Sequence, residues 1–269
     1  MHFTWDIIII LLLFGTLFGV LSIAAGTGGG AFYVSFFTIF LLLPINISID
    51  TSNFIILFPS ALGFIIYLKD KRTNLKISLF YGGFSILGSL LCTVMLLFIE
   101  LNNLILRLLF ASLLIIVGLT MVYKSFKLRK VSNENSKFYD VNDFFLKDFD
   151  YKANLTSRIP LFLFAGFVSN LLGIGGGVVI TPVLNLFIGF PIHFATGVSI
   201  SIVFLTAIIN SISKLLIGQV ELLLGIIIAI GSIIGAIIGA KISKKLPKFY
   251  LQLFVAAILI GFAIRMYFQ

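Results

Sequence analysis

Two clusters of glycine residues are the part of this chain best suited to bind a ligand. They comprise Gly28, Gly29 and Gly30 in the first half and Gly175, Gly176 and Gly177 in the second. Without Cβ atoms, such residues can adopt left-handed conformations and let a ligand approach the backbone. Each cluster precedes a short apolar run, and the first amide N–H groups of a helix starting there would have no partner. Two such N-termini facing one cavity would bind an anion. The alternative is that the glycines only allow close helix packing.

A stripe of polar residues follows the second cluster. Within residues 195–217 it contains Thr196, Ser199, Thr206, Asn210 and Ser213, at spacings that keep them on one helical face. Two interpretations stay open. The hydroxyl and amide groups would bind the oxygen atoms of a substrate if this face lines a cavity, and would hydrogen-bond neighbouring helices if it does not.

The first half carries a reduced version of this stripe. Ser52 and Asn53 lie near the start of the corresponding segment, but Pro59 and Gly63 stand where the second half has Thr and Asn. We therefore expect an asymmetric site, with more side chains from the second half. The candidate substrate-binding residues are Gly28, Gly29, Gly30, Ser52, Asn53, Gly175, Gly176, Gly177, Thr196, Ser199 and Asn210, with Ser22, Ser169 and Asn170 as secondary candidates.

Ionisable residues avoid the middle of the apolar segments. Asp50, Glu100 and Glu221 lie near predicted boundaries, and Lys214 is expected to reach the outer surface or to attract anions there. Intramembrane carboxylates are the usual proton or sodium relays, so a proton-pumping mechanism is disfavoured. The chain has two His and one Cys and shows no Ser/His/Asp set, which predicts no enzyme activity, no metal site and no cofactor.

Composition indicates a membrane protein. The 269 residues are 60% hydrophobic and 11% charged, and charged residues make up about 25% of soluble domains. Continuous apolar runs such as 226–238 exclude a β-barrel, because barrel strands alternate apolar and polar residues. The predicted fold class is therefore all-α, a polytopic protein of about 8–10 transmembrane helices in the lipid bilayer.

Ten apolar segments divide equally between two repeats. The first repeat covers residues 1–123, a polar linker covers 124–158, and the second repeat covers 159–269. The glycine clusters differ by 147 positions, as do Pro44 and Pro191. Because each repeat has five segments, the second would enter the membrane from the opposite side, giving inverted repeats. A duplicated break in a hydrophobic segment is the best sequence pointer to the substrate site of a transporter.

The basic residues support this topology. The loops at 69–76, 124–158 and 241–248 contain 16 of the 19 Lys and Arg residues. By the positive-inside rule these loops, including the central one, are cytoplasmic and both termini are outside. This placement beside membrane segments explains the net charge of +9 without a nucleic-acid partner.

The second segment of each repeat is short. Residues 31–43 would form about 20 Å of helix, against a hydrocarbon core of about 30 Å. The glycine break is therefore expected to lie within the membrane, where exposed backbone is tolerated only if protein buries it or it lines a wet cavity. The chain leaves open whether the first two segments of each repeat span the membrane or form a re-entrant hairpin.

The second half resembles the TauE/SafE family of sulfite and organosulfonate exporters. The resemblance rests on residues 173–184 (GIGGGVVITPVL), Pro191 and residues 195–199 (ATGVS). The first half is similar through residues 26–30 and Pro44, with Ser35 where the family often has proline and 50–52 (DTS) in place of the usual small residues. This resemblance implies a helical inner-membrane permease for small sulfur oxyanions or sulfonates.

We therefore expect an exporter of a small anionic substrate such as sulfite or an organosulfonate, working by alternating access, with a homo-oligomer possible. The first alternative is a permease for another small solute, in which the glycines serve helix packing only. The second, from another functional class, is a membrane-embedded enzyme or a non-transporting subunit.

Overall fold

A computed structural model describes residues 5–99, 101–132, 158–242 and 248–268. Every regular element in these ranges is helical. The helices are α1 (Trp5–Ala25), α2 (Gly30–Phe40), α3 (Ile45–Lys69), α4 (Leu75–Phe98), α5 (Asn103–Ser132), α6 (Ile159–Leu172), α7 (Gly177–Pro182), α8 (Ile192–Ile217), α9 (Leu222–Ile242) and α10 (Lys248–Tyr267). One helix corresponds to each predicted segment, which confirms the all-α polytopic fold class.

Six of these helices are long and apolar enough to cross a bilayer. They include α1, α3, α4 and α9 in full, together with Asn103–Tyr123 of α5 and Phe194–Ile217 of α8. Their outward faces carry large apolar side chains, such as Leu13 at 65% and Leu91 at 61% exposure. Such a continuous apolar surface is stable only against lipid. Helix α5 continues to Ser132, into the predicted linker, and residues 133–157 of that linker lie outside the described residues.

The helix after each glycine cluster is short, as the sequence predicts. Helix α2 has 11 residues, about 16 Å at 1.5 Å per residue. Helix α7 has six residues and continues as a π-helical turn, Val183–Phe187. Proline lacks the N–H that an α-helix requires at this position, so Pro182 accounts for the change. Ser35, the counterpart of Pro182 in the first half, has an N–H, and α2 stays regular.

The two halves interdigitate rather than packing as separate bundles. Helix α1 packs on α9 of the other half, and its counterpart α6 packs on α4. Helix α3 packs on its own counterpart α8, and α5 packs on α10. Exchanging the halves leaves these four pairings unchanged, which is the arrangement expected of two copies related by a two-fold axis.

Glycines bring the backbones of these pairs into contact. In the α4–α6 pair, a Cβ on Gly88 would collide with Leu163 O, and one on Gly166 would collide with Ser85 O. In the α1–α9 pair, a Cβ on Gly235 or on Gly19 would likewise collide with a carbonyl oxygen of the facing helix. Small residues are the usual means by which membrane helices approach closely, since lipid supplies no hydrophobic driving force.

We predict that Gly88→Ala destabilises the protein by roughly 1–3 kcal/mol, the usual cost of overpacking. The matched control is Gly83→Ala in the same helix, because a Cβ at Gly83 meets nothing within 4 Å. Thermal unfolding of both variants in detergent would check this. Equal melting temperatures for the two variants would show that backbone contact between α4 and α6 does not hold the halves together.

Candidate functional site

Left-handed glycines form a break at the start of each short helix. The residues with φ between +65° and +85° are Gly26, Gly28 and Gly29 in the first break and Gly173, Gly175 and Gly176 in the second. Gly29 and Gly176 are the N-caps of α2 and α7. These conformations are unfavourable for residues that carry a Cβ atom. The backbone can therefore follow this path readily only with glycine at these positions.

The structure brings the two breaks together. A Cβ built on Gly28 would lie 3.6 Å from Gly175 O, and one on Gly177 would lie 2.8 Å from Gly26 O. A Cβ on Gly30 would collide with Gly173 O. The chain of one half therefore runs directly over the chain of the other, and residues 21–38 and 172–178 are all buried.

The amide groups of the breaks lack protein acceptors. Among the hydrogen bonds of the described residues, none is donated by the backbone N–H groups of Gly28, Gly29, Gly30, Gly175, Gly176 or Gly177. The neighbouring amides are paired: Thr27 N donates to Ser22 O at 3.1 Å and Phe32 N to Gly29 O at 2.9 Å. Buried N–H groups without a partner are rare in native proteins. Six together form a cluster of hydrogen-bond donors.

Four carbonyl groups of the breaks have hydroxyl partners. Ser52 Oγ donates to Gly173 O at 2.8 Å and lies 3.4 Å from Gly30 O. Its counterpart Ser199 lies 3.4 Å from Gly26 O and 3.5 Å from Gly177 O. Gly26 O also accepts from Thr181 Oγ1 at 2.9 Å. Ser52 and Ser199 thus tie each helix to both breaks.

Thr196 supports the first break through packing. The residue is buried, and its methyl group faces the Cα of Gly26, where it would collide with a Cβ. Ile49, at the corresponding position of the first half, meets Gly173 with its backbone instead, since a Cβ on Gly173 would lie 2.8 Å from Ile49 O.

The two asparagines of the candidate set lie in a network that joins four helices. Asn210 Nδ2 donates to Asn53 Oδ1 at 3.2 Å, and Asn53 Nδ2 donates to Asn170 O at 3.3 Å. Ser89 Oγ donates to Asn210 Oδ1, and Asn170 Nδ2 donates to Ser89 O at 2.9 Å. Asn53 and Asn210 are therefore engaged with protein groups from α3, α4, α6 and α8.

Two hydroxyls beside the first break are buried and unpartnered. Ser22 Oγ and Thr27 Oγ1 have no hydrogen-bond partner, and the residues are 0% and 1% exposed. Ser22 Oγ lies 2.9 Å from the position of a Cβ on Gly29. At the second break, Ile174 replaces Thr27, and Ser169 accepts from Asn210 at 3.5 Å. Unpartnered hydroxyls thus lie beside the first break, whereas Ser169 beside the second is engaged with Asn210. The expected asymmetry of the substrate site stays a prediction.

Apolar side chains fill the space beside the breaks. Val203 Cγ1 lies 3.1 Å from a Cβ built on Gly28, and Ile56 Cγ2 lies 3.2 Å from one built on Gly175. Ile56 and Val203 are equivalent positions of the two halves, and both are buried. The sequence allowed two arrangements, a wet cavity at the breaks or burial by protein, and the structure shows the breaks buried by protein.

Lys214 is not a free cation at the surface. Its Nζ lies 2.8 Å from Asp50 Oδ1, and both side chains are nearly buried. Asp50 Oδ2 also accepts from Gln219 N at 3.1 Å, and Glu221 N donates to Thr51 Oγ1 at 3.1 Å. The expectation that Lys214 attracts anions at an open mouth was therefore wrong. The pair joins α3 and α8 to the loop that precedes α9.

Comparison with known proteins agrees with this architecture. The sulfite exporter TauE/SafE family matches residues 11–266. "Probable membrane transporter protein YdhB" of Bacillus subtilis (strain 168) is 25% identical over 91% of this chain and 93% of its own. "Probable membrane transporter protein YunE" of the same organism is 24% identical over 83% and 84%. "Probable membrane transporter protein MJ0441" of Methanocaldococcus jannaschii is 29% identical over 77% and 72%.

No solved structure gives a significant match. The family match covers nearly the whole chain, including both glycine breaks and every helix in full or in part, and the relatives share its function class, a membrane transporter. The chain belongs to the sulfite exporter TauE/SafE family.

Proposed function

We propose that this membrane transporter exports small sulfur-containing anions, such as sulfite or organosulfonates, by alternating access, and that the anion binds between the two glycine breaks. The observation that supports the proposal is the set of six buried backbone N–H groups without protein acceptors. An oxyanion accepts several hydrogen bonds at once, and its charge makes each bond stronger than one to a neutral oxygen.

The capped carbonyls favour an anion over a cation. Bare carbonyl oxygens lining a pore replace the water around a cation. Here Ser52, Ser199 and Thr181 donate to the carbonyls that face across the breaks, including Gly26 O and Gly173 O. Ser22 and Thr27 add two hydroxyls that can donate to substrate oxygens. Lys214 is already paired with Asp50.

Transport requires the closed breaks to open to each face in turn. Ile56 and Val203 occupy equivalent positions against the two breaks, so symmetric movements of α3 and α8 would expose one break and then the other. Inverted repeats commonly supply this exchange by rocking one unit against the other around a fixed site.

The orientation that we propose follows from charge. With the basic loops in the cytoplasm, the central linker is inside, both termini are outside, and the protein lies in the inner membrane. The basic loops would concentrate anions on the cytoplasmic side. An inside-negative potential would then drive a doubly charged anion outward with roughly 4.6 kcal/mol per 100 mV, so export needs no proton relay.

A permease for a different small solute is the second candidate. Gly30 and Gly177 do pack on the backbone of the opposite break, which is the packing role that this candidate assigns to the glycines. A flux panel in liposomes separates the two candidates. Movement of a neutral or cationic solute, without movement of sulfite or alkylsulfonates, would establish the second.

We predict that Ser22→Ala combined with Thr27→Val slows sulfite flux about tenfold or more. Each hydroxyl would donate to a charged oxygen, an interaction worth about 1.5–3 kcal/mol. Neither hydroxyl bonds to the protein, so the melting temperature should not fall. Counterflow of radiolabelled sulfite in proteoliposomes measures the rate.

The matched control for this variant is Ser85→Ala. Ser85 is also buried with an unpartnered hydroxyl, but it lies where α4 meets α6. Its flux should equal that of the unmodified protein. If the double variant and this control transport sulfite at the same rate, the first break does not bind the anion through these hydroxyls.

We also predict that sulfite efflux from proteoliposomes accelerates when a potassium gradient and valinomycin impose an inside-negative potential. The physical reason is that net negative charge leaves with the substrate. Protein-free liposomes give the leak rate. An efflux rate that does not change with the imposed potential would contradict uncoupled export and would indicate that a cation accompanies the anion.

A further inference from the structure

A cavity lined by polar and apolar side chains lies away from the glycine breaks. It has a volume of about 370 Å³ and is lined by Thr38, Leu42, Leu43, Pro44, Ile45, Asn103, Leu104 and Arg107. Thr38 is eight residues along α2 from Gly30, about 12 Å at 1.5 Å per residue. The cavity is therefore at the far end of α2, beside the start of α5, and none of its lining residues belongs to a break.

Arg107 is the charged residue that lines this cavity. No acidic side chain of the described residues forms a salt bridge with it, and its Nε is buried without a hydrogen-bond partner. By the charge pattern, Lys214 and Arg265 share this side of the membrane. Lys214 is paired with Asp50, and Arg265 is exposed to the surroundings. An ionisable residue at membrane depth is expected to have a partner or a function.

The other residues that line the cavity indicate the chemical class of its ligand. Beside the guanidinium lies Asn103, whose amide can donate a hydrogen bond, and the remaining surface is largely apolar, from Leu43, Pro44, Ile45 and Leu104. A guanidinium presents parallel N–H donors that match the two oxygens of a carboxylate, sulfonate or phosphate. An inorganic anion would use this group and leave the apolar surface uncovered.

We infer that the Arg107 cavity binds an oxyanion head group that carries an apolar tail. The head group accepts hydrogen bonds from the Arg107 guanidinium and the Asn103 amide, and the tail packs on Leu43, Ile45 and Leu104. A free organic anion and the phosphate of a phospholipid share this chemistry. The cavity would bind either one whether or not the glycine breaks carry sulfite.

The test compares Arg107→Gln with Arg265→Gln, which makes the same change in charge at an exposed position. Protein in dodecyl maltoside, which contains no phosphate, is titrated with hexane-1-sulfonate while the melting temperature is followed. The unmodified protein and Arg265→Gln should show a saturable rise of about 2–4 °C, the size expected for a ligand-binding linkage in a chain of this length. Arg107→Gln should show a clearly smaller rise, because only sulfonate bound at the glycine breaks would still stabilise it.

Two further measurements keep the result interpretable. Leu104→Ser alters an apolar wall that is 54% exposed, so it should reduce the preference for hexane-1-sulfonate over methanesulfonate even if Arg107→Gln folds poorly. Native mass spectrometry counts retained phospholipid. One lipid fewer on Arg107→Gln than on Arg265→Gln identifies a lipid as the occupant.

Equal thermal responses and equal lipid retention in the two arginine variants, with no change in tail preference in Leu104→Ser, would overturn the inference. These readouts record binding and not flux. Sulfite transport without Arg107-dependent binding would refute the cavity alone, whereas Arg107-dependent binding without sulfite transport would refute the proposed cargo alone.

Discussion

A bilayer offers no water to main-chain N–H and C=O groups, so a chain that unwinds inside it must satisfy those groups in another way. This constraint governs both breaks. Hydroxyls of Ser52, Ser199 and Thr181 donate to some of their carbonyl oxygens, including Gly26 O and Gly173 O. Six of their amides have no such partners among the described residues. These free donors are the reason that we propose an anion as the ligand.

The interdigitated halves are what make this arrangement possible. Because α1 packs on α9 and α6 packs on α4, each half supplies walls for the other, and the breaks are held face to face. Ser52 of one half bonds to Gly173 of the other, and Ser199 lies at the corresponding position near Gly26. In the proposed mechanism, a site that the two repeats share in this way changes whenever the repeats move relative to each other, which couples substrate binding to the conformational change.

Features that depend on local composition could be predicted from the sequence. Apolar runs predicted the ten helices, because a continuous apolar stretch of such length can satisfy its backbone groups within a bilayer only as a helix. The duplicated glycine clusters also predicted the two breaks and the short helices that follow them. The roles of individual side chains could not be predicted in this way. The amide groups of Asn53 and Asn210, for example, could bind a substrate or each other, and the sequence does not distinguish these roles. The two side chains are paired because four helices pack together around them.

Other residues gave little sequence signal. Asp50 and Lys214 are 164 positions apart, and no local pattern joins them, although the structure places their charges 2.8 Å apart. Thr27 gave a weak signal, as the one hydroxyl residue inside the first glycine cluster, where the second cluster has Ile174. Ile56 and Val203 look like ordinary core residues until the breaks are seen between them.

Sequence divergence between the two repeats makes the two ends of the α3–α8 pair chemically different. At the end formed by the start of α3 and the end of α8, the Asp50–Lys214 pair closes the contact. The equivalent positions at the opposite end are Gly197 and Tyr67. There Tyr67 Oη donates to Ile23 O at 2.8 Å, the hydroxyls of Thr73 and Ser201 are 2.9 Å apart, and the Arg72 guanidinium lies 5.8 Å from the centre of the Tyr67 ring. Opening one end would therefore separate a nearly buried ion pair, and opening the other would separate hydrogen bonds and a cation–π contact. In the proposed mechanism, the duplicated backbone supplies two equivalent openings, and the diverged side chains make their free energies unequal.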